Sequence, residues 1–186
     1  DYRNYTPGDD LRRLDWNVYA RLERPYVKLL EDEEDLSVHL LLDASASMNW
    51  PQDGEAGENK LTYARRIFAS LAYIGLIGND RMMLTAMNDH GNDAFGPSRG
   101  RGQVLPMLRY AHKITGDGII DLNLSLRDYA VRSPRPGLCF IFSDMFSKSG
   151  YIDGLNALLA KGHEVILLHT LSRDEVMPPL AGDLRL

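Results

Sequence analysis

Asp43-Ala44-Ser45-Ala46-Ser47 puts a carboxylate and two hydroxyls at alternate positions, directly after the apolar run 38–42. If that run is a strand ending in a loop, the D-x-S-x-S spacing turns three oxygens towards one point. Oxygen donors of this hardness suit Mg²⁺, Mn²⁺ or Ca²⁺. A second acid, Asp144, follows the other strongly apolar run, 138–142, in Phe142-Ser143-Asp144. Two buried strands that each end in an Asp are expected as neighbours in the middle of a sheet, with their carboxylates at one edge and able to share a cation. The plainer reading is that a Ser or Asp after a strand is a turn former or a helix cap.

Other chemistry finds less support. The five histidines, His39, His90, His112, His163 and His169, include no i, i+4 pair of metal-ligand type. His39 and His169 lie in apolar strands and are expected as hydrogen-bonded core residues. There is no G-x-S-x-G nucleophile elbow and no P-loop, and residues 54–60 lack the spacing of a phosphate cradle. Arg99-Gly100-Arg101-Gly102 offers two cations to a phosphate or an acidic partner, or forms a solvated turn.

The elements that must hold Asp43 and Asp144 are legible from periodicity. Residues 38–42, 138–142 and 163–168 read as strands buried on both faces, and 82–87 as a further strand. Residues 60–77 read as a long helix with a stripe at Leu61, Ala64, Phe68 and Leu71, widened by Ile67, Ile74 and Ile77. Further helices are expected around Pro106, with Leu105, Leu108 and Ala111, over 122–131, and over 151–160 with Ile152, Leu155, Leu158 and Leu159 inward. Residues 88–100 read as loop with at most a short strand near Phe95, and no Asn-Gly hairpin signal separates the strands. Upstream, 6–10 reads as a turn and a helix cap at Asp9 or Asp10, 11–22 as short helical pieces and 26–30 as a strand. Strands alternating with helices argue for an α/β class, a doubly wound, mostly parallel sheet with helices on both faces. The expected organisation is an N-terminal segment (1–35) packing on the domain, a sheet domain (36–172) and an irregular C-terminal tail (173–186).

Composition sets limits. The chain has 186 residues, 44% hydrophobic and 25% charged, which is ordinary globular usage. A net charge of -5 argues against non-specific nucleic-acid binding. The acidic run 31–35 reads as a solvated turn or strand end. The single cysteine, Cys139, excludes an intrachain disulfide and fits a reducing compartment, so a cytoplasmic location is expected. No apolar run approaches the ~20 residues of a membrane span. The chain opens on Asp1 and its first methionine is Met48, so it reads as an excerpt of a longer protein, whose other segments can hold a membrane anchor.

Asp43-x-Ser45-x-Ser47 with Asp144 resembles the metal-ion-dependent adhesion site of von Willebrand factor A domains. Residues 5–16, then Tyr19-Ala20-Arg21, Val27-Lys28, the acidic run, 43–48, 99–102 and 178–183, resemble the bacterial domain-of-unknown-function family 58. That resemblance spans nearly the whole chain. It implies a von Willebrand A-like sheet domain, commonly encoded beside MoxR-type AAA+ ATPases, and a metal site at Asp43, Ser45, Ser47 and Asp144. One position departs. Adhesion sites carry a threonine on the second loop, and here Gly118-Ile119-Ile120-Asp121-Leu122 puts Ile120 at that place. Either Asp121 supplies the missing ligand, directly or through water, or the metal site is degenerate.

The leading functional expectation is a non-enzymatic protein-interaction module with Mg²⁺ (or Mn²⁺/Ca²⁺) at Asp43, Ser45, Ser47, Asp144 and Asp121, partner contacts at Arg99 and Arg101, and a MoxR-type AAA+ ATPase as partner. A metal-dependent phosphatase-like hydrolase is the alternative, with Asp43 as nucleophile. It lacks the acid two residues on, since Ser45 stands there. A structural domain without a working metal site is the third reading. For the upstream segment, Arg12, Arg13, Asp15 and Arg21 either form a recognition surface or pair among themselves while Trp16 packs the segment.

Overall fold

The computed structural model describes residues 2–7, 9–10, 14–28, 37–52, 59–133 and 135–178. The acidic run, Arg12, Arg13, most of the 54–60 loop and residues 179–183 lie outside the described residues. The chain divides into two compact units, Asp1–Asp35 and Leu36–Leu186.

In the first unit, β1 (Tyr2–Asn4) pairs antiparallel with β2 (Tyr26–Lys28). Between them, α1 (Trp16–Leu22) is capped by Asp15, whose carboxylate accepts from the N–H groups of Asn17 and Val18. Asp15 is the cap of α1; residues 11–13, which a cap at Asp9 or Asp10 would serve, lie outside the described residues. Asp9 instead closes the Thr6 turn, accepting from the Thr6 N–H at 2.9 Å. The Trp16 ring meets Tyr19 edge-on at 6.2 Å, and Leu14 and Val27 are buried.

The second unit is a five-stranded sheet in the order β5-β4-β3-β6-β7. Its strands are β3 (Ser37–Asp43), β4 (Arg81–Asn88), β5 (Gly91–Ser98), β6 (Leu138–Ser143) and β7 (Glu164–His169). All pairs are parallel except β4–β5. Every residue of β3 is buried, as its unbroken apolar run requires. On one face, α2 (Lys60–Ile77) and α3 (Val104–Lys113) pack Leu61, Ala64, Phe68, Leu76 and Met107 on Leu40, Leu42 and Phe142. On the other, α4 (Leu122–Arg132) and α5 (Ile152–Ala160) pack Leu122, Leu126 and Leu158 on Leu41, Cys139 and Ile141. The α/β class with a mostly parallel, doubly covered sheet is the observed architecture.

Several expectations are corrected. Residues 91–98 are a full strand, because β4 and β5 form a hairpin through Asp89-His90, with Asn88 opposite Gly91. β7 is an edge strand, and Ile166 and Leu167 stay 38% and 41% exposed. Ile74, Leu105, Leu108, Ile152 and Leu159 face solvent, while Ala72, Met107 and Gly154 point inward. The tail is not wholly irregular: α6 (Arg173–Val176) starts in a capping box of Ser172 and Glu175. Among the described residues, no helix is long and apolar enough to cross a membrane.

Candidate functional site

The chain leaves β3 towards the α2 face and leaves β6 towards the α5 face. The carboxyl ends of these adjacent strands are therefore the point where strand order reverses, the usual ligand crevice of an open α/β sheet. Leu42 stands opposite Phe142, which sets Asp43 level with Ser143 and Asp144 one residue beyond.

The loop after β3 is built from backbone bonds. The Ala44 N–H donates to Met87, and the Ala46 N–H to the Gly118 carbonyl at 2.9 Å; the Asp117 N–H returns to Ala44 at 3.0 Å. Met48, fully buried, pins the turn into the core. Gly118 adopts φ +65°, and a Cβ there would overlap Asp89. The result is a fixed Ser45–Ser47 pair, with the two hydroxyl oxygens 3.0 Å apart.

Asp43 is buried at the floor. Its Oδ1 accepts from the Ser45 N–H (2.9 Å) and its Oδ2 from the Ser143 hydroxyl (2.6 Å). Burial pushes its carboxyl above the ordinary range, the Ser143 and Ser45 hydrogen bonds oppose this, and the charge of Asp144 adds a further upward push.

Asp144 is held differently. The Lys60 ammonium donates to its Oδ2 at 2.8 Å, and the Phe146 N–H to its Oδ1 at 3.0 Å. Lys60 also donates to Glu175 Oε1 at 2.6 Å and lies 5.1 Å from the centre of the Phe146 ring. The side chains of Lys60 and Asp144 are each only 1% exposed. Burial works against ionising Glu175, but Lys60 and the Ser172 N–H outweigh it and hold the carboxyl below its usual range.

A cleft of about 150 Å³ opens above Asp43, lined by Ser45, Ser47, Ile119, Ile120, Phe146, Ser147 and Lys148 among others. Asp121 does not line it. That residue is exposed and caps α4 through the Leu124 N–H (2.9 Å), while the Ser149 hydroxyl donates to the same oxygen at 2.7 Å. These bonds hold its carboxyl below the ordinary value. Arg99 and Arg101 are exposed and follow β5, whose Ser98 pairs with Met82 at the opposite end of the sheet. Five residue steps of strand, about 17 Å, separate that end from Asp43.

The donor set can be tested against a hard divalent cation. The Ser45–Ser47 spacing fits, since an octahedron with ~2.1 Å metal–oxygen bonds has an edge of about 3.0 Å. The rest does not. Ile120 brings hydrocarbon, Asp121 faces elsewhere, and Asp144 is neutralised by Lys60. Asp43 alone brings a carboxylate to the cleft. With Lys60 on Asp144, these donors do not fit a resident divalent cation.

The family model described as protein of unknown function DUF58 matches residues 1–186. The chain belongs to the DUF58 family. It is 30% identical over 184 residues to the uncharacterized proteins Rv1480 of Mycobacterium tuberculosis and Mb1516 of Mycobacterium bovis. The alignment covers 97% of this chain and 57% of each relative, so the chain spans little more than half the length of these DUF58 proteins. Among solved structures, proximal thread matrix protein 1 from the mussel byssus aligns at TM-score 0.52 and 13% identity, over 72% of this chain and 37% of that one. The likeness is one of fold. The manganese-loaded TRAP protein of Plasmodium vivax aligns at TM-score 0.45 and 16% identity, over 72% of this chain and 56% of that one.

Sequence reasoning missed Lys60, Glu175, Ser143 and Lys148. Lys60 reads as the first residue of a helix after a polar loop, and only the fold carries it back to β6. Ser143 had a signal: it sits directly before Asp144 and on the same sheet face as Ile141.

Proposed function

We propose that this domain is a non-enzymatic protein-interaction module whose contact surface is the cleft at the ends of β3 and β6. One observation carries the reading. A fixed hydroxyl pair floors a small cleft whose rim combines exposed apolar side chains, Ile119 (78%) and Phe146 (59%), with the Lys148 ammonium. Hydroxyls and an ammonium suit an acidic side chain, and the apolar rim suits the desolvated core of a protein contact. The chemistry favours binding over turnover. Both Asp43 oxygens already accept hydrogen bonds, and Ser45 stands where a hydrolase would place its proton donor. The family resemblance suggests the partner, a MoxR-type AAA+ ATPase in the same cytoplasm.

The test is binding of a purified MoxR-type ATPase to this chain and to its Ile119→Asp and Phe146→Ala variants. Both side chains are more than half exposed, so the fold is expected to survive; Phe146→Ala also removes the ring beside the Lys60 ammonium, and Ile119→Asp does not. At least a tenfold loss of affinity in each is expected, about 1.4 kcal/mol. Unchanged binding in both removes the cleft from the interface. Turnover of a generic phosphate ester that disappears in Asp43→Asn would overturn the non-enzymatic assignment.

A further inference from the structure

The Lys60 side chain is 1% exposed and lies at the edge of a cavity of about 550 Å³ that Tyr63, Thr170 and Ser172 also line. Its placement is specific. Asn59 caps α2 by accepting from the Thr62 N–H, and the first two helical N–H groups, of Lys60 and Leu61, donate to Trp50 and Met48 in the loop after β3. The helix start is thereby tied to the same loop that carries Ser45 and Ser47. From there the Lys60 stem reaches back to β6. Its ammonium meets Asp144 at 2.8 Å, Glu175 at 2.6 Å and the face of Phe146. Glu175 is itself fixed, since its other oxygen accepts from the Ser172 N–H at 2.7 Å. The ammonium is thus surrounded by two carboxylates and an aromatic face, all supplied by this chain.

We infer that Lys60 is the resident counter-ion of Asp144, so that the acids ending β3 and β6 need no divalent metal between them. Three separate observations agree. Asp144, the second strand-end acid, is neutralised by Lys60. Ile120 supplies hydrocarbon on the second loop. Asp121 is engaged as the α4 cap. Hydrocarbon at Ile120 and a buried ammonium on Asp144 act in the same direction: each makes a dication less favourable, and together they leave Asp144 compensated without one. Glu175 extends the arrangement to the segment after β7, so α6 is anchored on the same cation. The inference rests on the cleft being the functional site, but its test uses no partner, so the two readings fail separately.

The experiment is thermal unfolding and calorimetric titration of this chain with Mg²⁺ and Mn²⁺ against a chelator, for the parent, Lys60→Arg and Lys60→Met. The parent and Lys60→Arg are expected to show no saturable binding and the same melting temperature in about 10 mM Mg²⁺ as in chelator. A resident site would raise it by several degrees. Lys60→Met keeps the apolar stem and frees Asp144, and is expected to bind Mn²⁺ at least tenfold more tightly than the parent. Saturable parent binding with a Kd below ~1 mM overturns the inference. So does a folded Lys60→Met that binds no more tightly than the parent. If Lys60→Met fails to fold, Mn²⁺ broadening of amide resonances in the parent decides. Unaffected Ser45, Ser47 and Asp144 signals support the lysine, and selective broadening there overturns it.

Discussion

The two ends of the central strands treat buried titratable groups in opposite ways. At the carboxyl end, Asp144 is paired with a buried ammonium, with Glu175 completing the set. At the amino end, His39 and His163 lie ring against ring, with centroids 4.6 Å apart. His39 Nδ1 shares a 2.7 Å hydrogen bond with the Tyr129 hydroxyl. The His39 Nε2 and both ring nitrogens of His163 make no well-formed hydrogen bond among the described residues; the Arg135 and Gly137 backbone near them opposes the discharge only weakly. Burial, and then the nearby His163, lower His39 to about 4, and burial lowers His163 as well. One end solves the desolvation problem by pairing charges, the other by discharging them. Paired charge is costly to interrupt. Discharged histidines tolerate loss of a partner but oppose protonation.

The largest expected effect breaks the paired end. Lys60→Met should lower stability by about 3–5 kcal/mol, because it strands a carboxylate that is 1% exposed. Urea unfolding in chelator measures it. A loss under about 1 kcal/mol would place the carboxyl-end charges in solvent and erase the contrast.

The next effect belongs to the discharged end. The folded pKa of His39, about 4, lies below its unfolded value of 6.5. The unfolded chain therefore takes up a proton first as pH falls. Stability is full above pH 6.5 and declines from there towards pH 4, by about 1.4 kcal/mol per pH unit for this group. His39→Phe should flatten the slope between those values in urea titrations at several pH values. An unchanged slope would assign the acid sensitivity elsewhere.

Glu175→Gln should cost less, about 1–2 kcal/mol, since the side chain is 20% exposed and Lys60 keeps Asp144. The Glu175 carboxyl is depressed, so its contribution is complete above its ordinary 4.5 and is lost as pH falls through the lower folded value. The parent and Glu175→Gln should converge in acid. Smallest of all, Arg101→Ala should change stability by less than ~0.5 kcal/mol and leave the proposed contact at the cleft unaltered, because Arg101 is exposed at the end of the sheet remote from the cleft.

What the sequence showed follows from how local each signal is. The apolar runs 38–42 and 138–142 identify the central strands because burial on both faces leaves no alternation to confuse. Their shared ending in Asp then locates the carboxyl edge. β5 was hidden because an exposed edge strand rich in Gly, Asn and Asp has neither an apolar run nor an Asn-Gly turn. Ile152 and Leu159 looked inward by composition, yet Gly154 and Leu158 set the buried side of α5, where a Cβ on Gly154 would press on Leu126. Lys60 was illegible for a different reason. It is 84 residues from Asp144 in sequence, and its burial exists only once α2 docks and α6 closes over it. A polar residue at a helix start carries no local mark of that fate.

The account turns on Lys60 and Asp144 acting as one unit, and a double-mutant cycle measures this directly. Lys60→Met, Asp144→Asn and the double variant would be unfolded in urea, in chelator and again in Mg²⁺. The predicted coupling energy is about 2–3 kcal/mol in chelator, and no larger in Mg²⁺, where ion binding to Lys60→Met offsets part of it. Additive effects within ~0.5 kcal/mol, or a large Asp144→Asn effect that appears only with Mg²⁺, would contradict it.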